Sequence, residues 1–213
     1  DVEGLIAEIM GRQTGVCRGW GGSQHLCKDG FFSNGIQGGI TPLAAGLALA
    51  EEIRGSQNIG VVFIGDGTLG QGLVYETANL ASKWSIPLLL VLENNRYAQS
   101  TSQEETLAGD IDLRFKAFGI RCYEANTWEP AQLLETAKAA VTGVRSHRQP
   151  AFLRVDTDRL MAHSKGDDDR SDEEIKAYWD RDYLSRWEQA NIKLAEQIKR
   201  EARERIDSSV EAA

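Results

Sequence analysis

The 213-residue chain carries 24 Lys and Arg against 32 Asp and Glu, a net charge of −8, with 41% hydrophobic and 26% charged residues. This balance excludes disordered and collagen-like chains and argues against nucleic acid as a partner. No run of 18 apolar residues is present to cross a membrane, and Cys17, Cys27 and Cys122 are too few for a disulfide framework, which points to a reducing compartment.

The length suits one α/β domain with a helical appendage. No signal or transit pattern follows Asp1, so the chain reads as a processed or trimmed product. Asp1 caps a short helix with Leu5, Ile6, Ile9 and Met10 on its apolar side. Residues 11–39 read as a glycine-rich loop without strand or helix period; 17 of the 21 glycines fall within residues 1–72. Thr41-Pro42 opens a helix from Leu43 to Arg54, stopped by Gly55. Ile59 to Ile64 and Pro87 to Leu92 are apolar runs that predict strands covered on both faces, with a helix from Gly72 to Trp84 between them.

The alternation continues with a helix from Leu113 to Phe118, a strand from Ile120 to Glu124, a helix from Pro130 to Arg145 and a strand from Ala151 to Val155. Such alternation predicts a mostly parallel sheet flanked by helices. Composition shifts after residue 163. The charged segment from Lys165 to Glu174 reads as a solvated loop. Two helices follow, one with Ile175, Tyr178 and Trp179, the other striped with Leu194, Ile198, Ala202 and Ile206. The division expected is residues 1–163 for the α/β domain and 164–213 for the loop and helical extension.

Gly65-Asp66-Gly67 follows the first apolar strand, and Asn94-Asn95 follows the second, with 26 residues between Gly67 and Asn94. One helix and one strand fit that interval. Neighbouring parallel strands would bring both loops to one carboxyl edge, where doubly wound folds bind ligands. The residue types suit Mg²⁺ bridging a diphosphate, because Mg²⁺ takes about six oxygens. Asp66 offers a carboxylate, Asn95 an amide oxygen and Tyr97 its backbone carbonyl. Gly67 and Thr68 lead into a helix N-terminus, which favours phosphate.

A rival reading uses the same residues. Gly65-x-Gly67-x-x-Gly70 fits the dinucleotide fingerprint of an NAD(P)-binding oxidoreductase, with Glu93 as its acidic residue. Against it, Asp66 would repel the pyrophosphate unless a cation intervened, and the paired asparagines would have no role. A third reading is a subunit that only scaffolds a partner.

The order of motifs is specific. Gly21-Gly22-Ser23-Gln24-His25 precedes Asn34-Gly35-Ile36. Then come Gln71-Gly72 with Glu76 and Asn79, Glu93-Asn94-Asn95-Arg96-Tyr97, and Arg159 before His163-Ser164. This series resembles the α subunit of the thiamine diphosphate-dependent, decarboxylating component of 2-oxo acid dehydrogenases, a family that includes the pyruvate, branched-chain and acetoin enzymes. The resemblance implies a thiamine diphosphate-binding fold. It implies that Asp66, Asn95 and the Tyr97 carbonyl hold Mg²⁺. It places Gly67, Thr68 and Arg159 at the diphosphate, the backbone of Gly35, Ile36 and Gln37 at the aminopyrimidine, and His163 beside the reactive carbon as a catalytic residue. It further implies a β-type subunit in an α₂β₂ heterotetramer, a 2-oxo acid substrate and a lipoyl-bearing acyltransferase as acceptor. The compartment implied is the cytoplasm, or the mitochondrial matrix in a eukaryote. Two departures stand out: Asp167-Asp168-Asp169 replaces the Ser-Asp-Pro of many relatives, and Ala98-Gln99 replaces a glycine-rich step.

Other residues carry plainer expectations. His25 has too few companions for zinc and belongs to loop structure near the substrate channel. His147 is a solvated cation at a helix end. Cys122 is a buried strand residue. Glu76 is an interface carboxylate or part of a solvated helix face. Trp84 and Trp128 pack.

Overall fold

A computed structural model describes residues 1–164 and 166–213; Lys165, which opens the charged segment, lies outside the described residues. The helices are α1 (Val2–Ile9), α2 (Gln37–Ile53), α3 (Gly72–Lys83), α4 (Gln103–Thr106), α5 (Ile111–Lys116), α6 (Pro130–His147), α7 (Asp172–Arg181), α8 (Tyr183–Ala190) and α9 (Ile192–Ala212). The strands are β1 (Cys27–Lys28), β2 (Phe31–Phe32), β3 (Gly60–Gly65), β4 (Leu88–Asn94), β5 (Tyr97–Ala98), β6 (Thr101–Ser102), β7 (Arg121–Asn126) and β8 (Ala151–Asp156). They form two compact units: Gln37–Ser185, and Asp1–Ile36 with Arg186–Ala213. None of the described helices is long and apolar enough to cross a membrane.

The larger unit is built on a four-stranded parallel sheet in the order β3-β4-β8-β7. β4 lies inside the sheet and its side chains alternate between two cores. Leu88, Leu90 and Leu92 join Val62, Ile64, Phe152 and Phe115 with residues of α2 and α3. Leu89 and Val91 join Leu153, Val155, Ala140 and Val144, under α6. An unbroken apolar run is therefore what this strand needs. The Phe115 and Phe152 rings stack at 3.8 Å between centroids. β3 departs from the expectation of two covered faces: Val61 and Phe63 are 43% and 62% exposed. β3 is the end strand, and in this chain only the face turned to α2 is covered.

Helix α2 starts at Gln37, well before the Leu43 suggested by Thr41-Pro42, so Pro42 lies inside it. Proline withholds the amide that would bond the carbonyl four residues back. That carbonyl belongs to Gly38, and the Thr41 hydroxyl bonds it instead, at 2.8 Å, while also meeting the Thr77 hydroxyl at 3.2 Å. Both Thr41 and Gly38 are buried. A Cβ on Gly38 would displace the Gln71 side chain, whose Oε1 would lie 1.8 Å from it. Thr41→Val keeps the shape but orphans the Gly38 carbonyl. It should lower stability by about 1–2 kcal/mol in urea denaturation. Thr77→Val, which leaves Thr41 on that carbonyl, should cost less.

In the smaller unit α9 lies along α1. The buried positions are Gly4, Ala7 and Glu8 of α1 and Ala195 of α9, whereas Ile9, Met10, Leu194, Ile198 and Ile206 stay about half exposed on this chain. Small Ala7 and Ala195 occupy the buried contact, and Glu8 turns into the glycine-rich loop. Its Oε2 accepts the amides of Cys17 (2.7 Å) and Gly19 (2.9 Å), and its Oε1 that of Gly21 (2.6 Å). Burial raises the Glu8 pKa, but bonds from Gly19, Gly21, Cys17 and Gly22 outweigh it and hold the carboxyl below its ordinary value.

The loop also contains the β1-β2 hairpin, which its sequence pattern did not suggest. Lys28 pairs with Phe31 across Asp29 and Gly30, both at positive φ (50° and 83°). Asp-Gly is the preferred dipeptide for such a two-residue turn, so the signal was present without flanking alternation. The C-terminal region holds three helices rather than two, because Asp182 breaks α7 from α8. Trp84 is 57% exposed on this chain, whereas Trp128 lies under the Arg181 guanidinium at 4.6 Å.

Candidate functional site at the carboxyl edge of the sheet

The parallel register sets Gly65 opposite Glu93, and Asn94 opposite Asp156, so the chain leaves three adjacent strands at one level. Asp66 begins a 3-10 turn, Asp66–Gly70, directly after β3. Asn95 follows β4, and Tyr97 and Ala98 form β5 of a small hairpin with β6. The two loops predicted to meet do meet. A Cβ on Gly67 would come within 2.6 Å of the Ala98 Cβ, so only glycine fits beneath the hairpin.

Asp66 is 4% exposed. Its Oδ2 accepts the Gln103 amide at 2.9 Å, and the same nitrogen donates to Asn94 Oδ1 at 2.7 Å. Asn94 Nδ2 in turn donates to Asp156 Oδ1 at 2.6 Å. A hydrogen-bonded chain thus runs across the ends of β3, β4 and β8. Burial pushes the Asp66 carboxyl above its ordinary value; Gln103 and the backbone amides of Asp66, Gly67 and Arg96 oppose that shift. Among the described residues no Lys or Arg forms an ion pair with Asp66. A desolvated carboxylate without a cation is costly to keep. Next to amide and carbonyl oxygens, it suits a small hard cation such as Mg²⁺.

Asn95 Oδ1 accepts the Tyr97 amide at 2.9 Å and so shapes the turn, with Arg96 at φ 67°. Gln37 Oε1 accepts from Gly65 N (3.2 Å) and from the Thr68 hydroxyl, tying the start of α2 to the turn. Gly35 and Ile36 belong to the smaller unit. There the Ile36 amide bonds Asn34 Oδ1 at 2.8 Å, and the Ile36 side chain is exposed.

Arg159 follows β8. Its guanidinium lies 5.6 Å from the Tyr97 ring centroid and donates to the Gln99 carbonyl. Its Nε and Nη2 are buried without a hydrogen-bond partner. Unmet donors on a buried cation fit an anion such as diphosphate. His163 stands apart: its side chain is 55% exposed and its Nδ1 lies 3.7 Å from Asp167 Oδ2. Among the described residues no hydrogen bond links it to Asp66, Asn95 or Arg159. His25, His147 and Glu76 are all exposed on this chain. Cys122 is half-buried in β7.

Two residues that the sequence pattern did not single out organise the edge. Gln103 is one. Its only signal was the Ser102–Glu105 capping box, which starts α4 at Gln103 itself. Arg170 is the other, and it overturns the reading of residues 165–174 as wholly solvated. Its side chain is 2% exposed. It grips Asp168 through Nε (2.7 Å) and Nη2 (2.6 Å), and donates to the carbonyls of Arg159 and Met161. Its guanidinium faces the rings of Tyr97 and Tyr178 at 5.4 and 5.8 Å. The hydroxyls of both tyrosines donate to Glu174 Oε1.

The dinucleotide reading fares poorly here. The fingerprint gives the paired asparagines no role, whereas Asn94 links Gln103 to Asp156 across this edge. A 3-10 turn, not the helix N-terminus expected at Gly67 and Thr68 on either reading, follows β3 directly, and α3 begins only at Gly72.

The dehydrogenase E1 component family matches residues 1–213. The α subunit of the pyruvate dehydrogenase E1 component from Rickettsia bellii is 37% identical over 187 residues, covering 85% of this chain and 57% of that protein. Its counterpart from Rickettsia prowazekii is 38% identical, covering 85% and 58%. The α subunit of acetoin:2,6-dichlorophenolindophenol oxidoreductase from Bacillus subtilis is 31% identical, covering 100% and 66%. Among solved structures, a Campylobacter jejuni transketolase aligns with a TM-score of 0.49 at 18% identity, over 60% of this chain and 21% of its own. The chain spans a little over half the length of the two Rickettsia relatives. The match to the family model is unbroken from the first residue to the last, and it agrees with the parallel sheet and its buried aspartate: the chain belongs to the dehydrogenase E1 component family.

Proposed function

We propose that this chain is the α-type half of a thiamine diphosphate-dependent 2-oxo acid dehydrogenase, acting with a β-type subunit in an α₂β₂ assembly. The observation that carries this is Asp66: a buried carboxylate, without a cation, at the sheet edge where the asparagine loop arrives. Asp66, Asn95 and the Tyr97 carbonyl would hold Mg²⁺, and the unmet donors of Arg159 would receive diphosphate. Gly67 and Thr68 would line the diphosphate side of the turn, and Gly35, Ile36 and Gln37 the aminopyrimidine. When bound, thiamine diphosphate supplies the electron sink for decarboxylating a 2-oxo acid.

The chain's own residues orient and enclose. Gln103 fixes one Asp66 oxygen, as outer hydrogen bonds to ligating carboxylates do. His163 would act beside the substrate as an acid–base or orienting residue. The activating carboxylate is assigned to the β-type partner, and a lipoyl-bearing acyltransferase to the next step. The compartment proposed is the cytoplasm, or the mitochondrial matrix of a eukaryote.

Calorimetric titration of the chain, alone and with a β-type partner, tests this. Thiamine diphosphate should bind with Mg²⁺ and fail to bind in excess chelator, and NAD should not bind. NAD binding without metal would replace this function with the dinucleotide one. Decarboxylation by the chain alone at the rate of the mixed subunits would refute the two-chain arrangement.

A further inference from the structure

We propose that Cys17 and Cys27 are a dithiol–disulfide site, oxidised by low-molecular-weight disulfides such as glutathione disulfide. Both are free thiols within the glycine-rich segment of the smaller unit. The Cys17 sulfur accepts the Cys27 amide at 3.1 Å and lies 3.6 Å from the Cys27 carbonyl oxygen. A sulfur so close to the backbone of the other cysteine sets the two Cα atoms near the ~4.4–6.8 Å that disulfides span. The two cysteines differ in freedom. The Cys17 amide is pinned at 2.7 Å to the buried Glu8 carboxylate. Cys27 is exposed, in a hairpin of two-residue strands, where its side chain can turn toward Cys17.

Metal chemistry does not compete. Among the described residues no three His, Cys, Asp or Glu side chains converge as metal ligands, although His25 is close in sequence. Two adjacent thiols without a third ligand are suited to exchange. The exposed Cys27 thiolate attacks one sulfur of the small disulfide, whose S–S bond breaks and releases one thiolate. Cys17, having lost its proton to solvent, attacks the Cys27 sulfur of the mixed disulfide. The protein S–S bond forms and the second small thiolate leaves. Two protein thiols lose two electrons, and one small disulfide becomes two thiols. Cys122 provides an internal contrast: burial and the nearby Asp112 push its thiol up to about 11, which suppresses the reactive thiolate. The site is independent of cofactor.

The test uses the full-length chain, folded, in buffers from reduced to oxidised glutathione. Thiols are trapped by alkylation and counted by intact mass. Three should be alkylated under reduction and one, Cys122, under oxidation, with digestion joining the Cys17 and Cys27 peptides. Cys17→Ser and Cys27→Ser should each stop at a mixed disulfide with glutathione. The wild-type chain decides the question without the variants. Three alkylated thiols in fully oxidised glutathione, glutathione mixed disulfides alone, or a link that includes Cys122 would overturn the proposal.

Discussion

Asp66→Asn should abolish metal-dependent binding of thiamine diphosphate while leaving the unliganded chain folded. The substitution keeps the shape and an oxygen for Gln103, but removes the charge. In the native chain burial drives the carboxyl toward its neutral form, and the restraint comes only from hydrogen bonds. A bound cation would add the missing countercharge, so affinity depends on the carboxylate being ionised. Losing one partner of a buried ionic contact costs on the order of 4 kcal/mol, or ~10³-fold in affinity. The unliganded chain loses an unfavourable buried charge, so its melting temperature should move by less than about 4 °C. Isothermal titration with and without chelator measures the first effect and thermal denaturation the second. Equal wild-type affinity in Mg²⁺ and in chelator would contradict the assignment.

Arg170→Met should release the segment after β8 without unfolding the sheet. The methionine retains much of the apolar stem but abandons the Asp168 carboxylate and the carbonyls of Arg159 and Met161. Those bonds are what hold a segment with almost no apolar side chains. Amide exchange over residues 166–171 should accelerate on the order of 10²-fold, while β4 and β8 stay protected. Arg159 should also lose its register, since its carbonyl is one of the points gripped, and diphosphate affinity should fall with it. Acid gives an independent check. The Arg170 hydrogen bond lowers the Asp168 carboxyl to about 2, below its unfolded value. A depressed folded value stabilises above the unfolded pKa and is lost as pH falls through the folded one. Protection should therefore be flat from neutrality to about pH 5 and decline between roughly pH 4 and 2. Unchanged exchange in Arg170→Met would reject the anchor.

These two residues show what could and could not be read from sequence. The sheet was legible because β3 and β4 are short apolar runs between glycine, proline and polar breaks, and β4 must be apolar along Leu88–Leu92 to face two cores. Asp66 and Asn95 were legible because a strand end followed by a turn constrains a few consecutive residues. Arg170 was hidden: in a run of acids it resembles a solvated charge, and only the aromatic walls of Tyr178, in the next helix, and Tyr97, far away in sequence, make its burial favourable. Glu8 was hidden for a related reason. A carboxylate among apolar residues of a short helix gives no sign that backbone amides from residues 17–21 will surround it. The early start of α2 depended on a local side-chain detail, the Thr41 hydroxyl standing in for the amide that Pro42 lacks.

The strand order also governs how the chain is made. β4 pairs with β3 at once, but its other neighbour is β8, and Leu89 meets Ala151 across 62 residues of chain. At ribosomal speeds of about 5–20 residues per second, the Leu88–Leu92 edge waits roughly 3–12 s for its partner. During that interval an apolar strand with unmet amides and carbonyls is open to any other strand nearby. Asp156, the last link of the hydrogen-bonded edge, arrives only when the wait ends. Nascent chains halted before residue 151 should thus be the species most in need of a chaperone, and the binding edge is completed no earlier than the sheet itself.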